Sequence, residues 1–136
     1  AEITEKSMEA LKIVGLDGKY AEYGAALPYG QQRRLEIARA LVSDPKLLLL
    51  DEPAAGMNIN ESAELLELIR WINAELKKTV IFIEHNMKVV MNVSDYIVVL
   101  DHGSKIAEGI PKEIRNNPVV IEAYLGTKKE GGNADA

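Results

Sequence analysis

No cysteine occurs anywhere in the 136 residues, which excludes disulfides and thiolate metal sites. An excess of positive charge is also lacking, because 16 Lys and Arg stand against 21 Asp and Glu, a formal net charge of −5. Neutralising phosphates along a nucleic acid needs clustered Lys and Arg, so no nucleic-acid partner is expected. No apolar run approaches the roughly 18 residues that a membrane helix requires. The opening segment AEITEKSMEA has neither the basic nor the apolar region of a signal peptide,. Internal repeats are absent. A soluble, cytoplasmic domain is the expectation, and a first residue Ala rather than Met reads as a piece of something longer. One further absence bears directly on chemistry. The phosphate-cradling pattern G-x-x-x-x-G-K-[ST] does not occur; Gly18-Lys19 is followed by Tyr20, and Ile13 stands where the first glycine should be,. That pair also follows a helix rather than a strand, and reads as an ordinary turn.

What is present is a chain 47% hydrophobic, enough to bury a real core,. Ile3, Met8, Leu11 and Val14 recur at helical spacing, with Gly15 as a stop signal,. A Gly-rich loop closes at Pro28, and Leu35, Ile37, Ala38, Leu41 and Val42 mark an amphipathic helix from Gln31 that Pro45 keeps from continuing,. KLLLLD is a continuous apolar run of strand length, the pattern of a strand buried on both faces,. Asn60 can cap a long helix with the stripe Leu65, Ile69, Ile72 and Leu76,. TVIFI at 79–83 is a second buried strand, rich in β-branched residues, and a short helix with Met87, Val90 and Met91 follows,. YIVVL at 96–100 turns through Asp101-His102-Gly103 into SKIAEG, and Pro111 opens a short helical segment,. Residues 127–136 lack apolar anchors and read as a disordered tail,. Strands alternating with helices imply an α/β domain with a largely parallel sheet.

In open parallel sheets ligands collect at the carboxyl ends of the strands, which is where Asp51 and Glu52 stand, with Pro53 stopping the strand,. One carboxylate of such a pair can hold Mg²⁺ through its water shell, and the other can orient or deprotonate an attacking water. An acidic pair there can equally just solvate a loop. His85, after the second strand, could meet the same ligand, but a lone His in a strand-to-helix loop is more often a satisfied polar residue or a cap. Gly30 precedes a helix start, where free N–H groups and partial positive charge favour phosphate,. Arg33, Arg34 and Arg39 read as a solvated, salt-bridging face, and Trp71 as a partly packed flank of the long helix.

Taken together, LPYGQ at 27–31, RLEIARAL, LLLLDEP and IEH stand in the order and spacing of an ABC-type ATPase. The resemblance runs from about residue 1 to 126, and in wording YGQQRRLEIARAL, DEPAAGMN and IEHNMKVVM look most like the ATP-binding subunits of branched-chain amino acid importers. It implies the C-terminal part of a P-loop-type ATPase domain, with 1–43 part of a helical subdomain and 44–126 half of the ATPase core. Leu27, Pro28, Tyr29, Gly30 and Gln31 would be the signature loop, which clamps the γ-phosphate of a nucleotide held by the opposite subunit. Asp51 would organise Mg²⁺, Glu52 would be the general base, Ala55 to Asn58 the D-loop, and His85 the switch histidine. Two departures stand out: Pro28 replaces the usual signature serine, and Asn58 the usual D-loop aspartate.

The implied cofactors are ATP and Mg²⁺. The implied partners are a second ATPase subunit in a head-to-tail dimer and transmembrane permease subunits, on the inner face of the cell membrane. The absent P-loop strand would lie between the 79–83 and 96–100 strands, so the chain by itself is expected to be inactive and either to self-associate through those strand edges or to close the gap with a rearranged sheet. The competing readings are a non-enzymatic fragment or interaction module that binds no nucleotide by itself, and an unrelated doubly wound regulator. The regulator has no need of a glycine–helix segment upstream of the acidic strand.

Overall fold

A computed structural model describes residues 1–125; the tail expected at 127–136 lies outside the described residues. The chain divides into two compact units, Ala1–His85 and Asn86–Ala136.

The first unit opens with helix α1 (Glu2–Ile13), whose first turn carries Glu2 and Glu5 and whose last carries Lys12, matching the helix dipole at both ends,. It stops as expected at Gly15, which adopts φ +74° while the Gly15 and Leu16 N–H groups return to the Lys12 and Leu11 carbonyls,. Ala10 and Val14 are buried, but Ile3, read as part of the same stripe, is exposed in the first turn. Helix α2 (Tyr29–Leu41) buries Ile37, Ala38 and Leu41. It begins at Tyr29 rather than Gln31, because Pro28 itself serves as the N-cap.

Strand β1 (Leu47–Asp51) and strand β2 (Thr79–Ile83) pair in parallel, joined by helix α3 (Ile59–Glu75). Leu65, Ile69 and Ile72 form the buried stripe of α3 as expected, while Leu76, read as its fourth member, is the C-cap and is only half-buried. Its cap differs from expectation. Asn58, not Asn60, accepts from the Glu61 N–H while the Glu61 side chain accepts from the Asn58 N–H. A cap at Asn60 would have placed Ala63 at the third helical position, with no side-chain acceptor to complete such a box,.

A second expectation, burial of both parallel strands, fails in β1 and in β2. Only Leu48 is buried; Leu49 is 67% exposed and its neighbour Ile81 53%. The apolar run is therefore covered on one face only. Leu47, Leu49, Ile81 and Ile83, side by side in the parallel register, form an uncovered apolar face.

In the second unit, strands β3 (Ile97–Asp101) and β4 (Ser104–Gly109) form an antiparallel hairpin. Its two-residue turn, His102 at φ +46° and Gly103 at φ +78°, has the twist such hairpins favour,. Ile97, Val99, Ile114 and Val120 make its core. Helix α4 (Met87–Val93) adds Met87, Val90 and Met91, and helices α5 (Pro111–Asn116) and α6 (Pro118–Val120) supply Ile114 and Val120. Among the described residues no helix is long and apolar enough to cross a membrane.

Leu65 and Ile72 have no exposed surface, and burying such a side chain contributes about 1.5–3 kcal/mol. Leu65→Ala should lower the unfolding free energy of the first unit by about 2–5 kcal/mol, transfer and cavity costs together. Urea unfolding followed by circular dichroism checks this, with exposed Ile59→Ala as the near-neutral reference.

Candidate functional site

The parallel register sets the site. Asp51 lies beside Ile83 at the carboxyl end of the pair, so the residues after each strand emerge together. The Glu52 N–H donates to the Ile83 carbonyl at 2.8 Å, carrying the ladder one residue past β1. Glu52 then adopts φ +45°, the left-handed region, which costs a non-glycine residue about 1–2 kcal/mol,. That turn brings its carboxylate to the ring of His85, with Oε1 2.9 Å from Nδ1. The two residues expected to be catalytic are thus in direct contact.

His85 is exposed and Glu52 half-buried, so the pair contributes little to stability,. What the contact changes is which ring nitrogen is left available. A neutral His85 protonated on Nδ1 donates to Glu52 and leaves Nε2 free to accept; a charged His85 donates from both nitrogens. Asp51 is exposed, and no described residue hydrogen-bonds its carboxylate or pairs with it. It lines a cleft of about 230 Å³ with Leu49 and Pro53, opposite Arg33, Glu36 and Ile37 of α2. Among the described residues no group of three His, Cys, Asp or Glu could hold a metal. The donor is a hard oxygen and fits Mg²⁺, but only as one protein ligand completed by water and substrate oxygens.

The start of α2 is the second part. Pro28 takes φ −53° and ψ 151° and has no side-chain cap to offer. The Gln31 and Gln32 N–H groups both turn back to the Pro28 carbonyl at 3.0 Å, while no described acceptor meets those of Tyr29 and Gly30. Two donors at the positive end of a 13-residue helix are left available,. Leu27, expected in the same loop, is buried and anchors it. The Gln31 Oε1 atom is buried without a partner. Gln32, which sequence reading passed over, donates to the Leu27 carbonyl at 2.8 Å and to that of Ala25 at 3.4 Å, bracing the loop. Nothing in the local pattern signals a contact across five and seven residues.

The two parts are fastened together. The Tyr29 hydroxyl donates to the Ala55 carbonyl at 3.0 Å and accepts from Arg33 Nε at 3.0 Å. The Arg33 guanidinium lies 5.4 Å from the Tyr29 ring centroid and pairs with Glu36 at 3.1 Å. The bond to Glu36, and then that to Tyr29, raises the Arg33 pKa, so its charge is secure. Arg33 thus makes the salt bridge expected of it and also holds the Tyr29 ring and hydroxyl. Arg34 also salt-bridges as read, to Glu64 of α3 at 2.5 Å.

Gly30 faces α3 closely: a Cβ there would sit 3.2 Å from Glu61 Oε1. Asn58, read as a nucleotide contact, has its side-chain oxygen committed to the α3 cap. Glu84 Oε1 accepts from the Ala54 N–H at 3.3 Å, a brace on the turn after Glu52 that sequence reading also missed.

Residues 1–55 match the ABC transporter family, and residues 104–130 match the family described as branched-chain amino acid ATP-binding cassette transporter. The high-affinity branched-chain amino acid transport ATP-binding protein BraF of Pseudomonas aeruginosa is 48% identical over 125 residues, 92% of this chain and 49% of that protein. The LivG protein of Escherichia coli strain K12, with the same description, is 47% identical over 126 residues, 93% of this chain and 49% of that protein. The chain spans about half the length of the curated relatives it matches. In fold it is similar to the ADP conformation of an ATP-binding cassette of an ABC transporter, with a TM-score of 0.84 and 31% identity over 93% of this chain and 51% of that one. A nucleotide-free cassette gives 0.81 and 32% over the same shares.

Gly56 lies under the fastening point. It takes φ +76°, and a Cβ there would come 3.1 Å from Tyr29 Cε1. Gly56→Ala should therefore cost about 1–3 kcal/mol through backbone strain and displacement of Tyr29. Gly18, with nothing within 4 Å of a Cβ, should tolerate Ala within about 0.5 kcal/mol,. Paired urea titrations of the two variants make the comparison.

Proposed function

The chain belongs to the ABC transporter ATP-binding family, and on that premise we propose that it is the carboxylate-bearing part of an ATP-hydrolysing importer subunit, with branched-chain amino acids as the solute. The observation that carries the reading is the 2.9 Å contact between Glu52 and His85, directly after Asp51 at the end of a parallel strand.

Glu52 is the general base. It takes a proton from a water whose oxygen attacks the γ-phosphorus of ATP, while the bridging bond to ADP breaks. His85 fixes the direction of the Glu52 carboxylate and keeps one nitrogen for the phosphate or the water. Asp51 would hold Mg²⁺ through water, and the ion when bound would offset charge on the phosphate oxygens. The Tyr29 and Gly30 N–H groups, in the loop from Leu27 through Pro28 to Gln31, meet the phosphate of a nucleotide carried by a second subunit. Pro28 brings no hydroxyl, so that contact is a backbone one. Asn58 lies in the segment that crosses to the second subunit, where it shapes the crossing through its cap on α3.

In this assembly 1–43 belongs to a helical subdomain and 44–126 to the ATPase core. The partners are a second ATPase subunit, head to tail, and permease subunits at the inner face of the membrane. The branched-chain amino acid transport named for the Pseudomonas and Escherichia relatives supports the solute.

Two measurements test this. In a chimera where the chain replaces the matching half of the Pseudomonas relative, Glu52→Gln should keep ATP affinity within about twofold. It should lower steady-state phosphate release by ~10²–10⁴, the usual reach of general-base catalysis. Turnover within about threefold of the unmodified chimera would remove Glu52 from that role.

The 136 residues alone contain no G-x-x-x-x-G-K-[ST] cradle. Calorimetry should find no micromolar ATP binding by them. Their uncovered face of Leu47, Leu49, Ile81 and Ile83 should drive self-association visible by light scattering,. Leu49→Lys with Ile81→Lys should return a monomer. An unsubstituted 136-residue chain that is monomeric and binds ATP at micromolar concentration would overturn this part of the reading.

A further inference from the structure

We propose that Tyr29 is a positioning residue whose hydroxyl fastens the turn beginning at Glu52 to the first turn of α2, so that the carboxylate and the free N–H groups of that helix keep one spacing. The inference rests on the function proposed above.

Tyr29 is 47% exposed, so burial of its ring does not account for a tyrosine at this place. Its hydroxyl is used in both directions, donating to the Ala55 carbonyl and accepting from Arg33 Nε, each at 3.0 Å. Ala55 is in turn bonded to Glu52, its N–H donating to the Glu52 carbonyl at 3.1 Å. One residue thus receives a bond from the helix start and gives one to the residue with the left-handed backbone. Arg33, held by Glu36, lies over the Tyr29 ring and restricts its rotation. Gly56 leaves room for the ring on the other side. A phenylalanine would retain the ring contacts and lose only the fastening.

Glu52 gains nothing from Tyr29 in binding ATP. It depends on the turn for its aim at the attacking water, and small errors of aim act on the chemical step. In the same chimera, Tyr29→Phe should lower kcat about threefold to tenfold, the range for losing one hydrogen bond, with KM for ATP within about twofold. Arg33→Lys keeps the charge but not the Nε–H, and should lower kcat in the same direction. The double variant should be no slower than Tyr29→Phe, because both changes break one fastening.

In the 136-residue chain itself, Tyr29→Phe should speed hydrogen exchange at the Ala55 and Met57 amides about two- to tenfold. An active chimera whose kcat is unchanged by Tyr29→Phe overturns the positioning role and leaves the proposed function standing. Unchanged exchange in the chain also overturns it. An unmodified chimera that does not hydrolyse ATP overturns the proposed function, and this inference with it.

Discussion

The arrangement depends on one backbone hydrogen bond, from the Glu52 N–H to the Ile83 carbonyl. It extends the β1–β2 ladder one residue beyond Asp51 and commits Glu52 to a left-handed turn. If the strands paired one residue out of register, Asp51 and Glu52 would exchange faces, because side chains alternate along a strand. His85 would then meet the wrong carboxylate. The strain in Glu52 is held by bonds on both sides of it, the ladder bond before and the bond from Ala55 after. A strained backbone at a carboxylate that touches a histidine is the pattern expected where geometry serves chemistry rather than stability.

A second constraint is close approach between α2 and the segment from Pro53 to Glu61. Gly30 admits the Glu61 carboxylate and Gly56 admits the Tyr29 ring. Each glycine has a reason inside this chain, apart from any ligand. The same Glu61 completes the cap of α3, so the start of one helix is packed against the cap of the next. Arg34 and Glu64 repeat the link one turn on. The uncovered face of β1 and β2 is the opposite case: residues apolar enough for a core, placed where the described residues of their unit do not cover them.

Much of this was legible in the residue pattern. The α3 stripe, the Gly15 stop, the His102-Gly103 hairpin turn and the order of elements follow from periodicities of 3.6 and 2 and from where glycine is needed,. The chemical types of Asp51, Glu52 and His85, and their place after strands, were also readable. Local pattern misled at Asn60, because two Asn residues lie two apart and only the partner three residues on selects between them. It misled again in β1, where an unbroken apolar run states how hydrophobic a strand is and not which neighbours it has.

Composition and spacing by themselves determined the element types, the acidic strand end and the glycine at the helix start, since these rest on interactions within a few residues. Only the tertiary structure decided that Glu52 meets His85 across 33 residues and that Tyr29 reaches Ala55 across 26. It also decided that Arg33 stacks on a ring rather than facing water alone. Those contacts depend on strand register and helix packing, which bring together residues far apart along the chain, and periodicity within a helix or strand carries no record of that distance.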